Sequence, residues 1–175
     1  MIDLDIDLAD AIDDVTIGLD RTDKAMQKAI GRAVNKLTRW LHRRLLQIVA
    51  KQTGLPQKNL RRVRVRMGVG KKGGMVWVGL NPVEARHFGK VVWRRGMTGA
   101  RAGRRSFPGT FAVQRGKGAL IFARRGEARL PIYQPRVEID KDIEPHIKRL
   151  DAEAQRRFRS LLEQEINFAL NVEAA

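Results

Sequence analysis

Residue types that could support chemistry are scarce in this chain. His42, His87 and His146 fall in three separate stretches with no metal-ligand spacing between them, and cysteine is absent. A histidine without a second ligand or an orienting carboxylate is ordinarily structural or solvated. Between residues 21 and 136 the only carboxylates are Asp23, Glu84 and Glu127, too few to gather a divalent cation for hydrolysis. The run Gly68-Val69-Gly70-Lys71-Lys72-Gly73-Gly74 has the glycines and lysines of a phosphate loop. It lacks the Gly-x-x-x-x-Gly-Lys-Ser/Thr order, and no helix follows to offer its N-terminus to a phosphate. Gly-x-Ser-x-Gly is missing as well. These readings predict a protein that is not an enzyme and needs no cofactor or metal.

What the chain does supply is positive charge. Arg94, Arg95, Arg101, Arg104 and Arg105 crowd together with Gly96, Gly99 and Gly103, and no carboxylate stands among them. Such a stretch has little apolar surface to bury, so the reading is a long exposed basic loop, ordered against a partner and carried by a sheet. Lys71 and Lys72, Arg115 and Lys117, and Arg124 and Arg125 add further cations at glycine-rich turns. Guanidinium and ammonium groups gathered this way suit DNA phosphates or an acidic protein surface. Trp40 and Trp93 each adjoin arginines and could stack on bases, although core packing is the commoner use of so few aromatics. No zinc spacing, RNA-recognition signature or helix-turn-helix pattern accompanies them, so any DNA contact would be to phosphate, non-specific and steeply salt-dependent.

The elements that position these residues follow from periodicity. Residues 1–20 alternate Ile2, Leu4, Ile6 and Leu8 with Asp3, Asp5 and Asp7, a strand-like pattern, and Asp10 adds a further carboxylate. We read this as an acidic N-terminal arm able to add to a sheet or to dock on a neighbouring subunit. From about Thr22 to Thr53, Met26, Ile30, Ala33, Leu37, Leu41, Leu45 and Val49 recur at helical spacing. Gly54 and Pro56 then supply a stop. Residues 63–67 and 75–80 predict a hairpin, and residues 107–113, 119–123 and 130–133 up to three more strands. A second amphipathic helix carries Ile143, Ile147, Leu150, Ala154, Phe158, Leu162, Ile166 and Ala169, with Pro145 expected in its first turn. The predicted class is α+β: an antiparallel sheet of four to six strands flanked by two long amphipathic helices, with extended basic loops. Residues 21–172 form the single domain expected behind the arm.

Charge is segregated along this plan. Of 35 Lys+Arg and 19 Asp+Glu, net +16, residues 1–20 contribute seven Asp and no base, while residues 21–136 hold nearly all the excess positive charge. A basic body with acidic ends points to a polyanionic partner, to acidic ends docking on a neighbouring copy, or to both. No apolar run approaches the roughly 20 residues a membrane span needs, and the acidic start is unlike a signal peptide. The lack of cysteine fits a reducing cytoplasm.

Several stretches together resemble the minor tail protein Z family, the tail completion proteins of lambda-like long-tailed bacteriophages and prophages. They are Ala33-Val34-Asn35-Lys36-Leu37-Thr38-Arg39-Trp40-Leu41, Lys51-Gln52-Thr53-Gly54-Leu55-Pro56-Gln57-Lys58, Val76-Trp77-Val78-Gly79-Leu80-Asn81-Pro82, Arg101-Ala102-Gly103-Arg104-Arg105-Ser106-Phe107-Pro108-Gly109-Thr110-Phe111 and Arg129-Leu130-Pro131-Ile132. The resemblance covers most of residues 25–170. It implies a structural virion protein at the head-proximal end of the tail, made in the host cytoplasm late in infection. The partners it implies are other copies in a ring, the tail terminator or tail tube, and the head connector. The alternative from another class is a free protein that coats DNA without sequence preference.

Overall fold

The computed structural model describes residues 2–3, 24–63, 65–70, 73–79, 81–116 and 118–171. Helix α1 (Lys24–Thr53, 30 residues) is the frame, about 45 Å long. Met26, Ala29, Ala33, Leu37, Leu41, Leu45 and Val49 lie at spacings of three and four and are all buried, so the stripe legible in the sequence is the core face. The helix stops where expected. Gly54 adopts φ +72° and donates its N–H to Ala50 O at 3.0 Å, which satisfies a terminal carbonyl. The Thr53 hydroxyl donates to Val49 O at 2.6 Å and accepts from Leu55 N at 3.2 Å, turning the chain into the short helix α2 (Gln57–Val63).

Helix α3 (Asp140–Asn171) packs along α1. Ile143, Ile147, Leu150, Ala154, Phe158, Leu162, Ile166 and Ala169 form its buried stripe. Fully burying a side chain the size of Phe158 contributes about 1.5–3 kcal/mol. Contacts between the helices give their direction: Arg32 and Lys36 meet Glu165, whereas Arg44 further along α1 meets Glu153 earlier in α3. The two helices are therefore antiparallel. Pro145 stands as the sixth residue of α3, one turn deeper than expected. A proline is tolerated there at the loss of one backbone hydrogen bond, and the apolar stripe on either side keeps the helix in place.

Among the described residues, eleven short strands form four small antiparallel sheets rather than one continuous sheet. The first joins β1 (Ile2–Asp3), β3 (Gly73–Val78) and β2 (Val65–Gly70) in the order β1-β3-β2. The backbone of Gly74 lies so close to the Thr38 side chain of α1 that an added Cβ would stand 1.8 Å from its hydroxyl oxygen. Strand β4 (Val83–Glu84) pairs with β11 (Arg136–Val137) and leads into a 3₁₀ turn at Ala85–Phe88. The third sheet is β5 (Val91–Val92), β6 (Gly99–Ala102) and β7 (Arg105–Pro108). The fourth is β8 (Thr110–Arg115), β9 (Gly118–Arg124) and β10 (Ile132–Tyr133). The sequence run expected as one strand from Phe107 to Val113 is broken at Gly109, where φ is +70°. One core cluster draws on α1, α2, α3 and all four sheets.

The stretch from Arg94 to Arg105 is a correction to the expected long loop. It contains a tight turn, all of β6, and the turn into β7. Ala100 and Ala102 are completely buried, so small side chains bring this backbone against the core where large ones could not fit. Alanine and glycine made the stretch look featureless, yet they are what allow it to pack.

Candidate polyanion-binding surface

Residues 85–126 contain eleven Lys and Arg and no Asp or Glu. Those described fold into the 3₁₀ turn, strands β5 to β9 and the tight turns between them, so the charge is carried by ordered hairpins rather than a slack loop. In register, Val92 faces Arg101 and Arg101 faces Ser106, and all three are exposed. Their neighbours Ala100 and Ala102 point inward, as strand alternation requires. Arg101 thus stands in the middle of the outward row of the third sheet.

The turns carry most of the other cations. Met97 N donates to Arg94 O at 3.1 Å across a turn whose third residue, Gly96, has φ +92°, which leaves Arg94 and Arg95 exposed. The β6–β7 hairpin turns on Gly103 and Arg104, with Gly103 at φ +57°. An added Cβ there would lie 2.4 Å from Phe88 O, so only glycine lets the tip press against the 3₁₀ turn while Arg104 projects. The β8–β9 hairpin repeats the device with Gly116 at φ +58° after exposed Arg115. Thr110 joins the two sheets: its buried hydroxyl donates to Phe107 O at 2.5 Å and accepts from Ala100 N at 3.0 Å.

Two arginines are held on aromatic faces. The Arg105 guanidinium lies 4.6 Å from the Phe88 ring centroid, with Phe107 tilted against that ring at 6.1 Å. Arg124 lies 5.4 Å over Phe111, itself 6.2 Å from Phe122. Stacking fixes the position of a guanidinium without neutralising it. Among the described residues Arg94, Arg95, Arg101, Arg104, Arg115 and Arg125 have no ion-pair partner, so their donors are free for an anion. Of the two carboxylates that flank the lobe, Glu84 is committed locally: its Oε2 lies 2.8 Å from Arg86 Nε and 3.8 Å from His87 Nε2.

Of the residues singled out in the sequence, Arg94, Arg95, Arg101, Arg104, Arg105, Arg115, Arg124 and Arg125 belong to this one lobe. Lys71, Lys72 and Lys117 lie outside the described residues, as do Asp5, Asp7 and Asp10 of the acidic arm. Asp3 stands in β1, opposite Trp77 of the chain's own β3. The start of the arm is thus used within the subunit. Trp40 packs against the core, whereas Trp93 is 42% exposed beside Arg94. Among the described residues no three His, Asp or Glu gather as a metal site, and no helix is long and apolar enough to cross a membrane.

The basic face of α1 has a different use. Arg32 Nε donates to Glu165 Oε2 at 2.6 Å, and the Lys36 ammonium donates to the other oxygen. Glu165 is buried, which by itself would raise its pKa. The hydrogen bonds and charges of Lys36 and Arg32 outweigh burial and hold the carboxyl below its ordinary 4.5. Arg32 also lies 5.4 Å over the Phe168 ring. Sequence reading left Glu165 unremarked, because its spacing to Arg32 and Lys36 exists only once α1 and α3 lie antiparallel.

No family model, curated protein or solved structure matches this chain.

Proposed function

We propose that the protein is a non-enzymatic structural component of a phage tail: a completion or neck subunit at the head-proximal end, assembled as a ring around the DNA path. The observation that carries this reading is the lobe at residues 85–126, with eleven cations, no carboxylate, and a rigid pair of sheets to hold them. A cationic surface whose arginines other than Arg86 have no ion-pair partner among the described residues fits DNA phosphates or the acidic face of an adjacent ring. Closed rings need one patch to meet a different patch on the next copy. The segregation of acidic residues 1–20 from this basic lobe supplies two unlike patches. Tail terminator or tube and head connector are the neighbours this reading assigns, with the virion tail as its place and the host cytoplasm as its site of assembly.

The second reading is a non-specific DNA-coating protein, favoured by exposed Trp93 beside Arg94 and Arg95. Light scattering at low and high salt, alone and with duplex DNA, separates the two. A discrete oligomer of fixed copy number in the absence of DNA is the expected result. A monomer that loads onto duplex without fixed stoichiometry would move the assignment to the coating protein.

A further inference from the structure

On the helical side of the molecule, Arg44 Nη2 of α1 lies 3.5 Å from Glu153 Oε2 of α3. The space between the two helices there is an open groove of about 470 Å³, within the range of small-ligand sites. Lys51 lines it from α1, and His146 and Arg149 from α3. Among the described residues none of these three has an ion-pair partner. The only carboxylate in the lining is Glu153, which Arg44 already engages. Gln52 adds an amide on one wall, and partly buried Ile48 an apolar patch.

We propose that this groove binds a phosphate ester, with Lys51, Arg149 and His146 as its anion-binding residues. Three donors of different shape line one space: a planar guanidinium, a point-charge ammonium and an imidazole N–H. A phosphate ester is a strong anionic acceptor for such donors, a monoester offering three terminal oxygens and a strand's diester two. The apolar and amide-bearing walls leave room for the group the phosphate is attached to. The site lies on the helical side and shares no residue with the cationic lobe, so it stands apart from the proposed tail function. The phosphate can come from a free nucleotide or from a nucleic-acid strand, and these are separable.

The test is calorimetric titration of the full-length protein in low salt with a deoxynucleoside monophosphate and, separately, with a short single-stranded oligonucleotide. Saturable binding at one site per chain is expected for at least one of them. Arg149→Glu should weaken it tenfold or more, Arg149→Lys should retain part of it, and Lys28→Ala, exposed near the other end of α1, should leave mononucleotide binding unchanged. Binding of the mononucleotide alone assigns the free nucleotide. Binding of the oligonucleotide alone, if still lost in Arg149→Glu, assigns the strand. Circular dichroism of each variant shows that α1 and α3 remain folded. No saturable binding of either probe by the wild type, or binding indifferent to Arg149→Glu, would overturn the site. Oligomer mass in Arg149→Glu reports on the ring separately, so failure here is distinguishable from failure of the tail reading.

Discussion

Glu165 is a buried carboxylate held ionised by two cations from the facing helix, and its titration is therefore linked to folding. Its folded pKa is lowered, so the stability it contributes is complete above the ordinary value of 4.5 and is lost as pH falls through the lower folded value. Glu165→Gln should cost about 1.5–3 kcal/mol at pH 7, the range for hydrogen bonds to charged groups. Urea melts of both proteins at pH 7 and pH 3 should show that gap narrowing in acid. A gap that is the same at both pH values would mean the carboxylate is not ionised by this pairing. At Gly103 the constraint is steric instead: φ is +57° and Phe88 O would stand 2.4 Å from a new Cβ. Gly103→Ala should destabilise by about 1–3 kcal/mol, seen as a lowered urea midpoint. An unchanged midpoint would show that the hairpin tip can move off the 3₁₀ turn.

At the scale of elements, the antiparallel pair α1 and α3 bears the load and the sheets are small. Phe158 is fully buried on α3, and truncating it leaves a cavity that rigid helices cannot close. Phe158→Ala should cost about 3–5 kcal/mol, measured by chemical denaturation. A loss under about 1 kcal/mol would mean the helices collapse into the space. Both helices were readable because a 3.6-residue period repeated over 30 residues is a strong local signal. The Thr53-Gly54 stop was readable for the same reason, since its hydrogen bonds span only a few residues. The strands were harder. Gly109 divides one apparent strand into β7 and β8, and the alanines of β6 hide a buried strand inside an arginine-rich run. Two- to four-residue strands are too short for alternation to announce them.

For the whole molecule, the prediction concerns how charge is spent. If the lobe meets DNA through phosphates, each contact contributes about 0.9 to the slope of log affinity against log salt. Replacing Arg101 and Arg104 together by Ala should reduce that slope by about 2 and weaken all duplex sequences alike. Fluorescence anisotropy over a salt series measures it. A variant with the wild-type slope would place the DNA contact elsewhere or assign the lobe to a protein neighbour.

The sequence by itself determined the α+β class, the two amphipathic helices, the C-terminal stop of the first helix, and the concentration of positive charge in residues 21–136. All of these depend on composition or on residues a few positions apart. Only the tertiary structure decided how the cations divide. Arg32 and Lys36 are paired with Glu165, more than 120 positions away, while Arg94, Arg95, Arg101, Arg104, Arg115 and Arg125 of the lobe have no ion-pair partner among the described residues. It also decided that Lys51, His146 and Arg149 share one groove. Charge can be counted along a chain, but whether it is paired depends on which side chains the packed helices bring within a few ångströms.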